Sequence, residues 1–176
     1  MGLVHIYCGD GKGKTSAAVG LAVRAAGCGK RVVIARFLKT DNSGEVEILK
    51  KIPEVTLIPC RKTFGFVRSM DEETKRECAA YHRELFGEAV KLAEHADLVV
   101  FDEIIAAVNY GMVPERDVLE FLENRPGRDQ TDGLEIVLTG RDPSEKLIAA
   151  ADYVSEICKR KHPFDRGIMA RRGVEY

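Results

Sequence analysis

The chain has 176 residues, 45% of them apolar and 31% charged, which suits one soluble α/β-sized core and leaves little room for two. Its 27 basic and 28 acidic side chains give a net charge of -1, so no broad electrostatic footprint for nucleic acid exists and any anion must be held locally. Five scattered cysteines without a CxxC pair suggest neither a zinc site nor a disulfide framework, and no run of apolar residues is long enough to span a membrane. A cytoplasmic location is expected.

In chain order, short β-rich runs alternate with helical patterns. "LVHIYC" precedes a helix over Lys14–Ala26, then come "RVVIARF", a helix over Gly44–Lys51, and "VTLIPC". A long helix over Asp71–Glu94 follows, then "ADLVVFDEI", a helix over Glu115–Leu122, "LEIVLTG", a helix over Ser144–Ala151, and "YVSEI". Strands that are continuously Val, Ile and Leu are buried on both faces, as in a parallel sheet covered by helices. The expected fold is therefore α/β, three-layered, with a mostly parallel central sheet, built as a single domain over residues 1–176. Lys39–Ser43 and Arg125–Gly133 are irregular, and the basic run Lys159–Tyr176 contains His162, Pro163 and Phe164 and ends in "GVEY".

Between the first strand and the first helix stands "GDGKGKT", residues Gly9–Thr15. This is the context of a phosphate-binding loop, but in GxxxxGK[ST] the first glycine would fall at Cys8, so Gly9 arrives one residue late. Gly9, Gly11 and Gly13 permit positive φ and close approach, while the amides of Asp10, Lys12 and Ser16 and the helix N-terminus attract phosphate oxygens. Lys14 adds a positive charge and Thr15 a hydroxyl for Mg²⁺.

"LVVFDE" ends a buried strand in Asp102 and Glu103. Ligands of open α/β sheets sit beyond the carboxyl ends of the strands, so one of these acids would complete a magnesium shell, directly or through water. The other reading is a pair of acids capping the next helix. "IVLTGR" brings Arg141 to the same edge, where it can stabilise charge on a polyphosphate. In "TFGFVR", Phe64 and Phe66 are either exposed for a planar partner or one edge of the core.

Taken in order, "GDGKGKT", "RFLK", "FGF", "DLVVFDE", "NRPG", "LTGR", "ADYVSE" and "KHPFDRGIMARRGVEY" span nearly the whole chain, and the chain resembles the ATP:corrinoid adenosyltransferases of the phosphate-loop class. The resemblance implies a RecA-like P-loop NTPase sheet, a homodimer, and transfer of the 5′-deoxyadenosyl group of ATP to Co(I) of a corrinoid, with release of triphosphate, in coenzyme B12 biosynthesis or salvage. It implies a loop in which ATP lies reversed, which would explain the displaced glycine. It places Mg²⁺ (or Mn²⁺) on Thr15 and Glu103 with Asp102 as an outer partner, and Lys12, Lys14 and Arg141 on the triphosphate.

Phe64 and Phe66 match aromatic positions that displace the lower ligand of cobalt and ease its reduction; a better-known branch has Trp where Phe66 stands. An electron-donating reductase, expected to be a flavoprotein, is implied as partner. With no long N-terminal extension in this sequence, another segment is expected to shield the cobalt. Arg171 and Arg172 either meet corrin carboxylates or face water, and His162 is expected to be structural. The rival functions are a nucleoside kinase of similar architecture and an ATP-dependent switch protein; the chain lacks the CxxC lid common in such kinases.

Overall fold

A computed structural model describes residues 2–128 and 132–175 of the protein. Residues 129–131 of the expected Arg125–Gly133 loop, and Tyr176 of the C-terminal run, lie outside the described residues.

Six strands form one sheet: β1 (Val4–Cys8), β2 (Val32–Arg36), β3 (Val55–Leu57), β4 (Leu98–Asp102), β5 (Glu135–Thr139) and β6 (Tyr153–Glu156). Their order across the sheet is β3-β2-β4-β5-β1-β6, and every pairing is parallel. The "mostly parallel" expectation is met in full, and with helices around the sheet the architecture is that of a P-loop NTPase-like fold. All six strands therefore end on one edge, where Cys8, Arg36, Asp102 and Thr139 stand side by side.

The period of two along the strands sorts their side chains to two faces. Val32, Ile34, Leu98, Val100 and Val137 face α1 (Lys14–Gly27), which presents Ala18, Ala22 and Ala26 at helical spacing. Three alanines on one stripe let this helix lie close to the sheet. On the opposite face, Ile6, Ala35, Val99, Phe101, Ile136 and Leu138 share one core with α3 (Glu72–Ala93), which follows α2 (Gly44–Leu49) in the chain, lies against β2 and β4, and buries Cys78, Ala79, His82, Leu85, Phe86 and Ala89. Asp71, expected inside that helix, is its N-cap and accepts from the Thr74 amide.

Two boundaries differ from expectation. β3 stops at Leu57, because Pro59 cannot donate to a sheet ladder. α4 (Ile104–Asn109) begins immediately after β4, where an apolar run looked like continued strand. It opens at Glu103, whose φ of 60° makes an abrupt turn. α5 (Glu115–Glu123) and α6 (Glu145–Ala150) close the layer on that face. No helix among the described residues is long and apolar enough to cross a membrane.

Candidate active site

Gly9 follows the last residue of β1, and its φ of 101° belongs to glycine. A Cβ on Gly9 would stand 2.5 Å from the Ile157 carbonyl oxygen, and one on Gly11 2.6 Å from the same atom. The Gly11 amide donates to that carbonyl at 2.7 Å, and the Asp10 carboxylate accepts from the Lys159 amide at 2.8 Å. Gly9 and Gly11 thus serve the packing of the loop under the chain that leaves β6, whereas the sequence suggested close approach of a ligand. That bond to the Lys159 amide holds the Asp10 carboxyl below its usual range.

Lys14 is only 7% exposed. Its ammonium donates to the carbonyls of Gly9 (2.8 Å) and Gly11 (2.9 Å), curling the loop around its own lysine. Burial pushes the Lys14 pKa down, and the nearby Glu103 carboxylate pulls partly against that. Asp10, Gly11, Lys12, Gly13, Lys14, Thr15 and Ser16 line a cavity of about 330 Å³ together with Glu103 and Arg141. Gly9 alone of the expected loop residues is not on its wall. The C-terminal run forms the far side through His162, Ala170, Val174 and Glu175.

The strand-end acids part company. Asp102, 2% exposed, accepts from the hydroxyls of Thr15 (3.0 Å) and Thr139 (2.7 Å) and pairs with the Lys39 ammonium. Lys39 also donates to the Thr15 hydroxyl at 2.7 Å. Glu103 turns instead into the loop cavity, its amide tied to the Thr139 hydroxyl at 2.8 Å. Asp102, expected as the outer partner, is thus the carboxylate in direct contact with Thr15.

This donor set suits a hard cation: a hydroxyl and a carboxylate oxygen, already gathered about a positive group. Among the described residues no cluster of three or more His, Cys, Asp or Glu stands ready to hold a metal. Any ion at Thr15 would therefore take its remaining ligands from phosphate and water, as Mg²⁺ commonly does.

Phe64 and Phe66 behave differently from each other. Phe64 packs on Tyr81 and His82, with ring centroids 5.7 and 6.4 Å away, and carries the Lys62 ammonium 5.0 Å above its ring. Phe66 is 87% exposed. Phe64 is thus an edge of the core, while Phe66 stands exposed. They line a cavity of about 370 Å³ with Lys39, Thr40, Lys62 and His82. Lys39 also lines an adjoining cleft of about 950 Å³ that includes Thr15 and Ser16, so it stands between the aromatic cavity and the loop.

Two residues of this region were not singled out from sequence. His82 is buried beneath Phe64, its Nδ1 unpartnered, and burial lowers its pKa to about 4. The visible signal was its place in the apolar stripe of α3. Lys39 ends the "RFLK" motif and opens the irregular segment Lys39–Ser43, where no periodicity marks its role.

The His162 Nδ1 accepts from the Phe164 amide and opens a short 3₁₀ turn, Pro163–Arg166. The exposed Arg171 guanidinium grips Glu175, and that bond lowers the Glu175 pKa to about 2.

The family described as ATP:corrinoid adenosyltransferase BtuR/CobO/CobP matches residues 1–176. The corrinoid adenosyltransferase of Escherichia coli K12 is 34% identical over 178 residues, covering 99% of this chain and 86% of that protein. Corrinoid adenosyltransferase CobA of Salmonella typhimurium is 34% identical, with 99% and 86% covered, and the Pseudomonas aeruginosa corrinoid adenosyltransferase is 31% identical, with 99% and 84% covered. The loop, the strand-end acids, the arginine and the aromatic segment are thus parts of a transferase, and the chain belongs to the corrinoid adenosyltransferase family.

Proposed function

We propose that the protein transfers the 5′-deoxyadenosyl group of ATP to the Co(I) centre of a corrinoid and releases intact triphosphate, in coenzyme B12 biosynthesis or salvage. The observation that carries this is the Lys14 loop cavity, walled by Glu103 and Arg141 and joined through Thr15 and Ser16 to a cleft that shares Lys39 and Thr40 with the Phe64/Phe66 cavity. Such an arrangement suits a polyphosphate gripped on one side and a large planar acceptor on the other.

In this reading the Co(I) lone pair attacks C5′, the C5′–O bond breaks, and its electron pair departs on triphosphate. The corrinoid is the nucleophile, so the chain needs no general base. Its residues align the partners and neutralise the leaving group. Lys14 exchanges its two carbonyl partners for phosphate oxygens, and Lys12 and Arg141 add charge from the walls. The loop amides of Asp10, Gly13 and Ser16 complete the grip. Thr15 with Asp102, and Glu103 from the opposite wall, would hold Mg²⁺ or Mn²⁺. Bound there, the ion would neutralise charge on the departing triphosphate.

Phe66 offers an exposed ring for the corrin face, and Phe64 fixes the segment that carries it. Together they would exclude water and a lower axial ligand from cobalt, easing its reduction by a flavoprotein reductase. The chain is proposed to act as one domain, as a homodimer, in the cytoplasm. The C-terminal run that walls the loop cavity is the segment proposed to shield the site.

Incubation with ATP, Mg²⁺ and chemically reduced cobalamin tests the proposal. Triphosphate together with the absorbance of a Co–C bond is expected. ADP without alkylated corrinoid would assign a kinase or a nucleotide switch instead.

A further inference from the structure

The segment after β2 is irregular but firmly held. The buried Arg36 guanidinium donates to the Thr40 carbonyl at 2.8 Å and pairs with Asp41. Asp41 in turn accepts from the Cys60 amide at 3.2 Å, and the Cys60 thiol donates to the Lys39 carbonyl at 3.1 Å. Leu38 takes a φ of 54°, a left-handed conformation a branched-chain residue adopts at a cost. These restraints turn the Lys39 side chain back toward α1 and β4.

There its ammonium meets both oxygens that suit a divalent cation, donating to Thr15 Oγ1 at 2.7 Å and to the Asp102 carboxylate. Thr15 spends its own proton on Asp102 Oδ1 at 3.0 Å. Asp102 is almost fully buried, and a carboxylate in that position needs a positive partner. The Thr15 oxygen cannot both accept from Lys39 and coordinate a metal in the same place. Lys39 has room to leave, because it borders the large cleft on one side and the aromatic cavity on the other.

We infer that Lys39 is a built-in counter-cation of the Thr15–Asp102 pair, held there in the nucleotide-free enzyme and exchanged for the divalent ion that accompanies nucleotide. The inference rests on the proposed use of Thr15 and Asp102 as cation ligands. It makes Lys39 a positioning residue: it keeps the two oxygens gathered and charge-balanced before the metal arrives, and it sets a threshold against metal without phosphate.

The test is titration with Mn²⁺ alone, reading free ion by electron paramagnetic resonance. The intact chain should bind weakly, Lys39→Met at least about tenfold more tightly, since no ammonium has to be expelled, and Lys39→Arg as weakly as the parent. Equal affinity in the parent chain and Lys39→Met would overturn the inference. A second measurement needs no variant: acetylation of the Lys39 amine, mapped by mass spectrometry, should rise several-fold when Mn²⁺ is raised to saturation. Unchanged labelling of Lys39 would overturn the inference equally.

Titration with Mn·ATP separates the two levels. Binding of Mn·ATP by the parent chain without any gain in Lys39→Met removes the counter-cation and leaves the proposed function standing. Failure to bind Mn·ATP at all removes both.

Discussion

Phe66→Ala removes a ring that is 87% exposed and supports nothing in the fold. A surface change of this kind alters stability by no more than about 0.5 kcal/mol, a shift of about 1–2 °C in Tm for a chain this size. Its value must then lie in what it covers when substrate binds. A phenylalanine can bury about 150–250 Å². If about 100 Å² of that meets the corrin face, the area contributes about 2.5 kcal/mol at about 25 cal/mol per Å². That is about 50- to 100-fold in corrinoid affinity.

Phe64→Ala contrasts with it. Phe64 is packed on Tyr81 and His82, so truncation should cost about 1–3 kcal/mol, below the range for a fully buried ring. The assay is thermal unfolding beside steady-state kinetics with Co(II) corrinoid and a reductase, and isothermal titration with Mg·ATP. Phe66→Ala should keep Tm and ATP affinity while losing Co(II)-dependent activity. Unchanged corrinoid KM and unchanged Co(II) activity in Phe66→Ala would refute the reasoning.

Lys14→Ala should abolish triphosphate release, because a buried ammonium aimed at the loop carbonyls has no substitute; retained turnover would remove the loop from the leaving-group site. Gly11→Ala forces a Cβ to 2.6 Å from the Ile157 oxygen, so the loop or the β6 exit must shift, and both Tm and ATP affinity should fall, by calorimetry. His82 has a folded pKa of about 4 against an ordinary 6.5, so the unfolded chain binds the extra proton between those values. Its contribution, about 2–3 kcal/mol, is therefore complete above pH 6.5 and lost as pH falls toward 4. Urea unfolding across that window should show the loss, and His82→Phe should flatten it.

Much of this was legible in the sequence because the strands carry their burial on their surface. "RVVIARF" and "DLVVFDE" have no polar face, which only a covered parallel sheet tolerates. The loop was legible because its glycines and lysine sit between strand and helix. The strand order β3-β2-β4-β5-β1-β6 was not, since parallel pairing is decided by packing between distant segments. α4 was missed because its apolar run Ile104–Val108 follows so closely on β4, with only the turn at Glu103 between the two elements.

The division of labour between Asp102 and Glu103 was half visible. Side chains alternate along a strand, which sets neighbouring acids apart, but the partners of Asp102 come from α1, β5 and the segment after β2. Lys39 was hidden for the same reason: its side chain is aimed by the left-handed Leu38 and by the Arg36–Asp41 pair, neither of which has a periodic signature. The role expected of Gly9 changed as well, since the chain that presses on it, Ile157, lies far along the sequence.

The central claim is that C5′, and not phosphorus, is attacked. ATP labelled with ¹⁸O in the bridge between C5′ and the α-phosphorus tests it directly in the presence of Mg²⁺ and Co(I) corrinoid. The label is expected to leave entirely in triphosphate while adenosyl carbon joins cobalt. Label retained on an adenosine product, or recovered in ADP without alkylated corrinoid, would contradict it.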